Sequence, residues 1–213
     1  MSSSAFNEDQ AVAFLQRRDL TAEMLTSLAR NPEAVKSRKV VLALIAHSRT
    51  PRHISVPLLR RVLVFDLMQV TLTPTIPADI KRAAEDQLLV RLETLSAGEK
   101  TTLAKRASGR VAAALLQDED SRVVAPALDN PQLTESLLIQ ALMKPRVPAT
   151  LFELASEHRN WCLRPEVQLA LLRSEKTPST RAQEFASRFS QEVLESVLPE
   201  SRKGLMVPDP PQT

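Results

Sequence analysis

The sequence has very little glycine, no tyrosine and a single cysteine. Its 213 residues include 3 glycines, 1 tryptophan and 6 phenylalanines. A glycine-rich phosphate loop, a many-turned β-sandwich and an aromatic platform for bases all need residues that are scarce here. One cysteine excludes an internal disulfide framework and an all-cysteine metal cluster. We therefore expect no cofactor and a reducing compartment.

The chain also lacks a long apolar run and an export signal. Its most apolar segment, 62–65, lies between Arg60, Arg61 and Asp66, far short of the roughly 18 apolar residues of a membrane helix. Residues 1–5 contain no basic region followed by an apolar one. These absences predict a cytoplasmic protein with no membrane contact. We also expect a flexible N-terminus over 1–7 and, because the last six residues hold three prolines, a disordered tail over 201–213.

Ordinary globular composition and many prolines favour short helices. The chain is 43% hydrophobic and 25% charged, and it has 15 prolines. Thr-Pro pairs such as Thr50-Pro51, Thr73-Pro74 and Thr177-Pro178 indicate helix starts, because threonine can cap free N–H groups and proline suits the first turn. Asn31-Pro32 and Asn130-Pro131 indicate turns. The pattern predicts helices over 8–18, 21–30, 37–47, 55–70, 77–94, 97–107, 109–117, 120–128, 132–143, 148–157, 164–173, 178–189 and 190–198.

The chain resembles itself at a fixed offset. A shift of 127 residues places the apolar segment 40–45 on 167–172 and Thr50-Pro51 on Thr177-Pro178, and the register extends from about Leu20 to Val70. Short amphipathic helices are unstable alone and become ordered by stacking on their neighbours. This self-similarity predicts an all-α fold, an α-solenoid of about 12–13 short helices with an internal duplication.

Two segments suggest a family. Residues 120–134, with Arg122, Ala127-Leu128 and Asn130-Pro131, and residues 164–172, with Arg164, resemble units of the HEAT-like and leucine-rich-repeat-variant arrays of bacteria. The resemblance implies a right-handed stack of helix pairs and specifies no activity. We expect a first repeat half over 8–70, a central segment over 71–130 after a Pro/Thr-rich joint, and a second half over 131–200.

Basic residues are concentrated in one stretch. Residues 30–61 carry eight basic side chains against Glu33, a local charge of +7, whereas the formal charge of the chain is +3. Such a stretch can neutralise phosphates, although arginine and lysine commonly lie on solvated faces and no aromatic residue interleaves these. The candidate contacts to an anion or nucleic acid are Lys36, Arg38, Lys39, Arg49, Arg52, His53, Arg60 and Arg61.

Catalytic patterns give no comparable signal. The adjacent carboxylates of 118–120 lie between two predicted helices, where helix capping explains them. Cys162 has the surroundings of a small half-buried hydrophobe, and the spacing of His47 and His53 matches no metal signature. We therefore predict a non-enzyme without catalytic or metal-binding residues.

The remaining prominent residues have structural interpretations. The resemblance to the repeat arrays implies that Trp161 wedges between units. It also implies that Arg122 and Arg164 bond carbonyls between helices or pair with carboxylates. The favoured function is a protein–protein interaction or scaffold module with an unknown protein partner. Nucleic-acid binding through 30–61 is the alternative. A HEAT-like DNA glycosylase ranks below both, because base stacking needs the aromatic residues that the chain lacks.

Overall fold

The structure is a computed structural model that describes residues 7–17 and 19–205. The prediction of an all-α protein is confirmed: this part of the chain contains fourteen α-helices, four short 3-10 helices and no strand. The predicted flexible segment 1–7 lies outside it except for Asn7, and the predicted tail 201–213 begins inside a 3-10 helix, Glu200–Leu205. The α-helices are α1 Glu8–Leu15, α2 Ala22–Arg30, α3 Arg38–Ala46, α4 Arg52–Leu59, α5 Val64–Leu72, α6 Ala78–Arg91, α7 Ala97–Arg106, α8 Gly109–Leu115, α9 Ser121–Leu128, α10 Glu135–Leu142, α11 Ala149–Glu157, α12 Pro165–Leu172, α13 Ser179–Ala186 and α14 Gln191–Val197.

Several helices begin at a side-chain cap. The side chains of Asn7, Thr21, Ser37 and Thr134 each accept a hydrogen bond from an N–H group in the first turn that follows. These bonds satisfy donors that have no partner inside the helix. In α7, Ser96 and Glu99 form a reciprocal capping box.

The Thr-Pro pairs act differently from the prediction. Pro51 and Pro178 are themselves the N-cap residues of α4 and α13, and no side chain of the described residues caps either helix. Thr177 Oγ1 instead donates to the Leu171 carbonyl, and Thr50 Oγ1 has no partner among the described residues. Thr73 ends α5 rather than starting a helix, with its hydroxyl bonded to the Gln69 carbonyl.

The predicted helix over 55–70 is wrong, because this segment contains two helices, α4 and α5. The Arg91 guanidinium, from the end of α6, donates to the Val62 carbonyl at 2.6 Å and to the Arg60 carbonyl at 2.7 Å. Backbone carbonyls need partners when a helix ends inside a protein. Arg91 supplies them and so stabilises the break between α4 and α5.

The described residues form two compact units, one on each side of the Leu95–Ser96 bond. In the first unit α1, α3 and α5 pack in sequence, and α6 packs on both α4 and α5. Its core contains the fully buried side chains of Leu25, Leu44, Leu67 and Leu88. The division at 70 and 130 expected from the sequence stays a prediction.

The second unit shows the same order of contacts. Helix α7 packs on α9 and α9 on α11, while α8 packs on α10 and α10 on α12. Asn130, in the turn between α9 and α10, is buried and donates from Nδ2 to the carbonyls of Ala104 and Ala107. Its Oδ1 accepts from the Gln132 N–H, which fixes the Asn-Pro turn.

Two series of helices match each other at the offset of 127 residues. Glu8–Leu15 corresponds to Glu135–Leu142, Ala22–Arg30 to Ala149–Glu157, and Arg52–Leu59 to Ser179–Ala186, with both ends in register. The 3-10 helices Ala34–Lys36 and Trp161–Leu163 correspond in the same way. We call α1–α5 the first series and α10–α14 the second series.

Candidate functional site

The candidate basic residues lie at helix ends and in the connections between helices. Lys36 is in the 3-10 helix Ala34–Lys36, Arg38 and Lys39 are in the first turn of α3, and Arg49 lies in the turn that follows α3. The remaining candidates are at the two ends of α4, Arg52 and His53 at its start and Arg60 and Arg61 just after its last residue. The stretch therefore does not form one continuous face of a helix.

Arg38 is held by a carboxylate from another helix. Its Nε and one terminal nitrogen donate to the two oxygens of Asp66, both at 2.6 Å. Asp66 is only 6% exposed, in the first turn of α5. A bidentate pair with one buried partner is geometrically specific, so Arg38 is already engaged.

Lys39 is also paired across helices. Its ammonium lies 2.9 Å from Glu8 of α1, and the Ser37 hydroxyl donates to the same carboxylate at 2.8 Å. The bonds from Lys39 and Ser37 lower the pKa of Glu8 below its ordinary value.

Lys36 and Arg52 pair with exposed carboxylates. Lys36 lies 2.7 Å from Glu33, and Arg52 lies 3.4 Å from Asp79, with both cations largely exposed. Such surface pairs contribute little to stability. They nevertheless place a negative charge beside each cation, so four of the eight candidates have a local counter-charge.

Arg49 binds the backbone of an earlier segment. Its guanidinium donates to the Leu20 carbonyl at 3.3 Å, and its own N–H donates to His47 Nδ1 at 3.2 Å. The side chain thereby joins the turn after α3 to the residue that precedes the α2 cap. This contact is structural, although it uses only part of the guanidinium.

Arg60, Arg61 and His53 are the exposed candidates without such contacts. Within the described part of the chain, their side chains make no hydrogen bond or ion pair. An exposed cation with no counter-charge remains available to an anionic partner.

Arg61 lies at the edge of a small cleft. The cleft has a volume of about 200 Å³ and is lined mainly by apolar side chains of the first unit. Leu63, on its wall, is 60% exposed, and Phe65 nearby in sequence is 40% exposed. We call this the 36–66 cleft; its lining residues are Val35, Lys36, Arg38, Val41, Leu42, Arg61, Val62, Leu63 and Asp66.

The structure places the three predicted structural residues in the second unit. The Trp161 indole Nε1 donates to the Leu128 carbonyl at 2.8 Å, and its ring lies beside His158. Arg122 pairs with Asp120 two residues earlier, and Arg164 lies 3.6 Å from Glu135.

Sequence reasoning missed Asp66 and Leu63. Asp66 interrupts the apolar run of α5, and a lone charge on such a run is a signal of a buried ion pair. Leu63 gave no signal, because its exposure follows from the end of α4 that the sequence did not reveal.

The described residues form neither a metal-binding cluster nor a membrane-spanning helix. They contain no group of three or more histidine, cysteine or acidic side chains placed to hold a metal ion. No helix among them has the length and apolar character to cross a membrane.

Compared with models of protein families, with curated proteins and with solved structures, the chain gives no significant match to any of them.

Proposed function

We propose that the protein is a protein-binding module built from helical repeats, and that the 36–66 cleft binds its partner. The observation that carries the proposal is the combination of an exposed leucine, an apolar cleft wall and an unpaired arginine at the edge.

The packing of the helices supports a repeat architecture. In each unit, several helices contact the helix two positions later, as α1 contacts α3 and α8 contacts α10. Stacked helix pairs produce this order of contacts, and the matching offset of the two series fits a duplicated HEAT-like array. Such arrays commonly present extended surfaces to other proteins.

The 36–66 cleft suits an apolar side chain flanked by acidic residues. Its volume of about 200 Å³ can take one large aliphatic side chain, and covering Leu63 would remove apolar surface from water. Arg61 gives the cleft a positive edge, because the other lining cations, Lys36 and Arg38, are paired with Glu33 and Asp66. An acidic protein segment with a leucine-like anchor matches both features.

Nucleic-acid binding is the second candidate, favoured by the unpaired Arg60 and Arg61. Phosphate contacts need several free cations along a surface. Arg38, Lys39 and Arg52 each have a carboxylate beside them. Protein binding accounts for both the exposed Leu63 and the unpaired Arg61, whereas phosphate binding accounts only for Arg61.

Selection from a displayed peptide library on the purified full chain tests the proposal. We expect enriched peptides with an apolar residue next to aspartate or glutamate, and weaker binding to Leu63→Ser and to Arg61→Glu. Matched controls are Leu163→Ser, which changes a 64% exposed leucine of the second unit, and Arg146→Glu, which reverses an exposed charge there.

Two results would contradict the proposal. One is the absence of any enriched peptide, and the other is binding that the control variants weaken as much as the cleft variants. Titration of a single-stranded oligonucleotide at rising salt separates the second candidate, because that function predicts salt-sensitive binding lost in Arg61→Glu and kept in Leu63→Ser.

A further inference from the structure

A larger cleft lies elsewhere in the first unit. Its volume is about 680 Å³, and it opens between α1, the end of α3 and the turn after α3. Leu15 and Ala43 give it apolar walls, and Arg17, His47 and Arg49 give it polar ones. None of these residues lines the 36–66 cleft.

The second unit has a cleft at the corresponding place. Its volume is about 470 Å³, and it opens between α10, the end of α12 and the turn after α12. Leu142, Lys144, Ala170, Ser174 and Lys176 line it. Each stands 127 positions after its counterpart in the first unit, so we call the two openings the paired clefts.

The same cross-segment bond lies beside both openings. Arg49 donates to the Leu20 carbonyl in the first unit, and Lys176 Nζ donates to the Val147 carbonyl in the second. Donor and acceptor each differ by the offset of 127 residues. A cation is thus kept at both turns although the residue type changes, and each side chain retains donors that the carbonyl does not use.

Both clefts are electrically positive. The first has Arg17 and Arg49 on its lining and no carboxylate among the described lining residues. Arg17 is paired with Asp19 through hydrogen bonds of 3.0 and 2.6 Å, so Arg49 supplies the net positive charge of this cleft. The second has Lys144, Arg173 and Lys176 against Glu175. Within the described residues, the side chains of Lys144 and Arg173 form no ion pair or hydrogen bond. The complementary ligand is therefore anionic.

The walls favour a peptide over a nucleic acid. Leucine and alanine lie at matching positions in both clefts, and Met143, which is 49% exposed, adds apolar surface to the second. A sugar-phosphate backbone carries no apolar side chain that could fill such a cleft, and the stacking of bases needs accessible aromatic rings. Volumes of a few hundred Å³ suit a few side chains of a bound segment.

We infer that the paired clefts are two equivalent binding sites, one in each unit, for acidic protein segments that carry apolar side chains. The chain then binds two such segments. This inference goes beyond the proposed function, since it uses other residues and another stoichiometry, and it shares with that function only the class of ligand.

Titration of the isotope-labelled full chain with a short peptide of alternating leucine and glutamate, followed by NMR, tests the inference. We expect amide shifts at residues 46–49 and at residues 173–176. Arg17→Glu should abolish the first set and keep the second, and Lys144→Glu should do the reverse. Both cations are exposed, so neither reversal removes a core contact. A leucine–lysine peptide is the control and should shift neither set.

The inference is wrong if the acidic peptide shifts neither set or only one, if the charge reversals leave both sets unchanged, or if an oligonucleotide shifts them and the peptide does not. Residues 61–63 report the 36–66 cleft separately. Shifts there without shifts at the paired clefts would support the proposed function and overturn the inference, and the opposite pattern would do the reverse.

Discussion

The first and second series of helices share buried apolar positions and differ in the charged residues around them. Leu44 and Leu171, fully buried in α3 and α12, occupy matching positions. Arg38 and Asp66 form an ion pair in the first series, but the corresponding residues of the second series are Pro165 and Val193. Buried apolar positions therefore define the helix arrangement, while the ion pairs around them differ between the two series.

The differences between the two series also distinguish the paired clefts from the 36–66 cleft. The paired clefts arise where both series keep a leucine, an alanine and cations. In the 36–66 cleft, Lys36 corresponds to Leu163, and Leu63 to Ser190. The 36–66 cleft thus depends on side chains specific to the first series, and a partner bound there would distinguish the two units.

Truncation of the matching core leucines has the largest expected effect on the stability of the two series. Leu44→Ala and Leu171→Ala should each lower the free energy of unfolding by about 3 kcal/mol, because both leave a cavity in a packed core. Urea unfolding followed by circular dichroism measures the loss. Leu163→Ala, at an exposed position, is the control and should change little. If one of the two buried substitutions lowered the free energy of unfolding by less than about 1 kcal/mol, the two core positions would not be equivalent.

Gly109 tests how tightly the chain before the second series is packed. A Cβ on Gly109 would lie 2.1 Å from the carbonyl oxygen of Gln132, a backbone atom that cannot move alone. Gly109→Ala should therefore lower the free energy of unfolding by about 2 kcal/mol, although alanine favours helices.

Gly98 provides the matched control, since a Cβ there would meet no atom within 4 Å. Gly98→Ala in α7 should be neutral or stabilising by up to about 1 kcal/mol. Thermal unfolding of the two variants measures the contrast, and equal effects at both positions would contradict the close approach at Gly109.

The next prediction concerns the break between α4 and α5 in the first series. Arg91 closes it with bonds to the Arg60 and Val62 carbonyls. Arg91→Gln should lower the free energy of unfolding by about 1.5 kcal/mol, because charge-assisted bonds are lost. Arg82→Gln changes an exposed position of the same helix and should have little effect. Urea unfolding of both variants gives the comparison, and equal stability would show that the break needs no support from Arg91.

The smallest expected effect concerns Glu8 of the first series. Bonds from Lys39 and Ser37 lower the pKa of Glu8 below its ordinary value of 4.5. Its contribution to stability is therefore complete above pH 4.5 and disappears as the pH falls through the lowered pKa. The stability difference between the wild type and Glu8→Gln, measured by urea unfolding, should be present at neutral pH and shrink in acid.

Lys39→Gln supplies the check on that cause. In this background the pKa of Glu8 should return toward its ordinary value, and an NMR titration of the carboxyl group would follow it. An unchanged titration would assign the shift to another group.

The sequence predicted the helices well wherever a local signal marks their ends. Ser96 with Glu99 opens α7, and Pro148 and Pro178 precede α11 and α13, so short-range chemistry fixes these boundaries. The break after α4 had no such signal, because the segment 60–63 contains neither glycine nor proline and its partner, Arg91, is about thirty residues away.

The free charge of the basic stretch, 30–61, likewise could not be predicted from local sequence. Counting charges over 30–61 gave a strong positive signal, but the carboxylates of Glu8, Asp66 and Asp79 come from α1, α5 and α6. Only the folded chain brings them beside Lys39, Arg38 and Arg52. A local charge count overstates the free charge whenever the counter-charges are distant in sequence.

The turn between α9 and α10 has a consequence for the dynamics of the second unit. Asn130 closes the end of α7 through two carbonyls, and Gln132 lies against the backbone of Gly109 in α8. Displacing this one turn exposes both sites together. The slowest amide protons of α7 and α8 should consequently exchange with deuterium at a common rate, since a single opening event releases them.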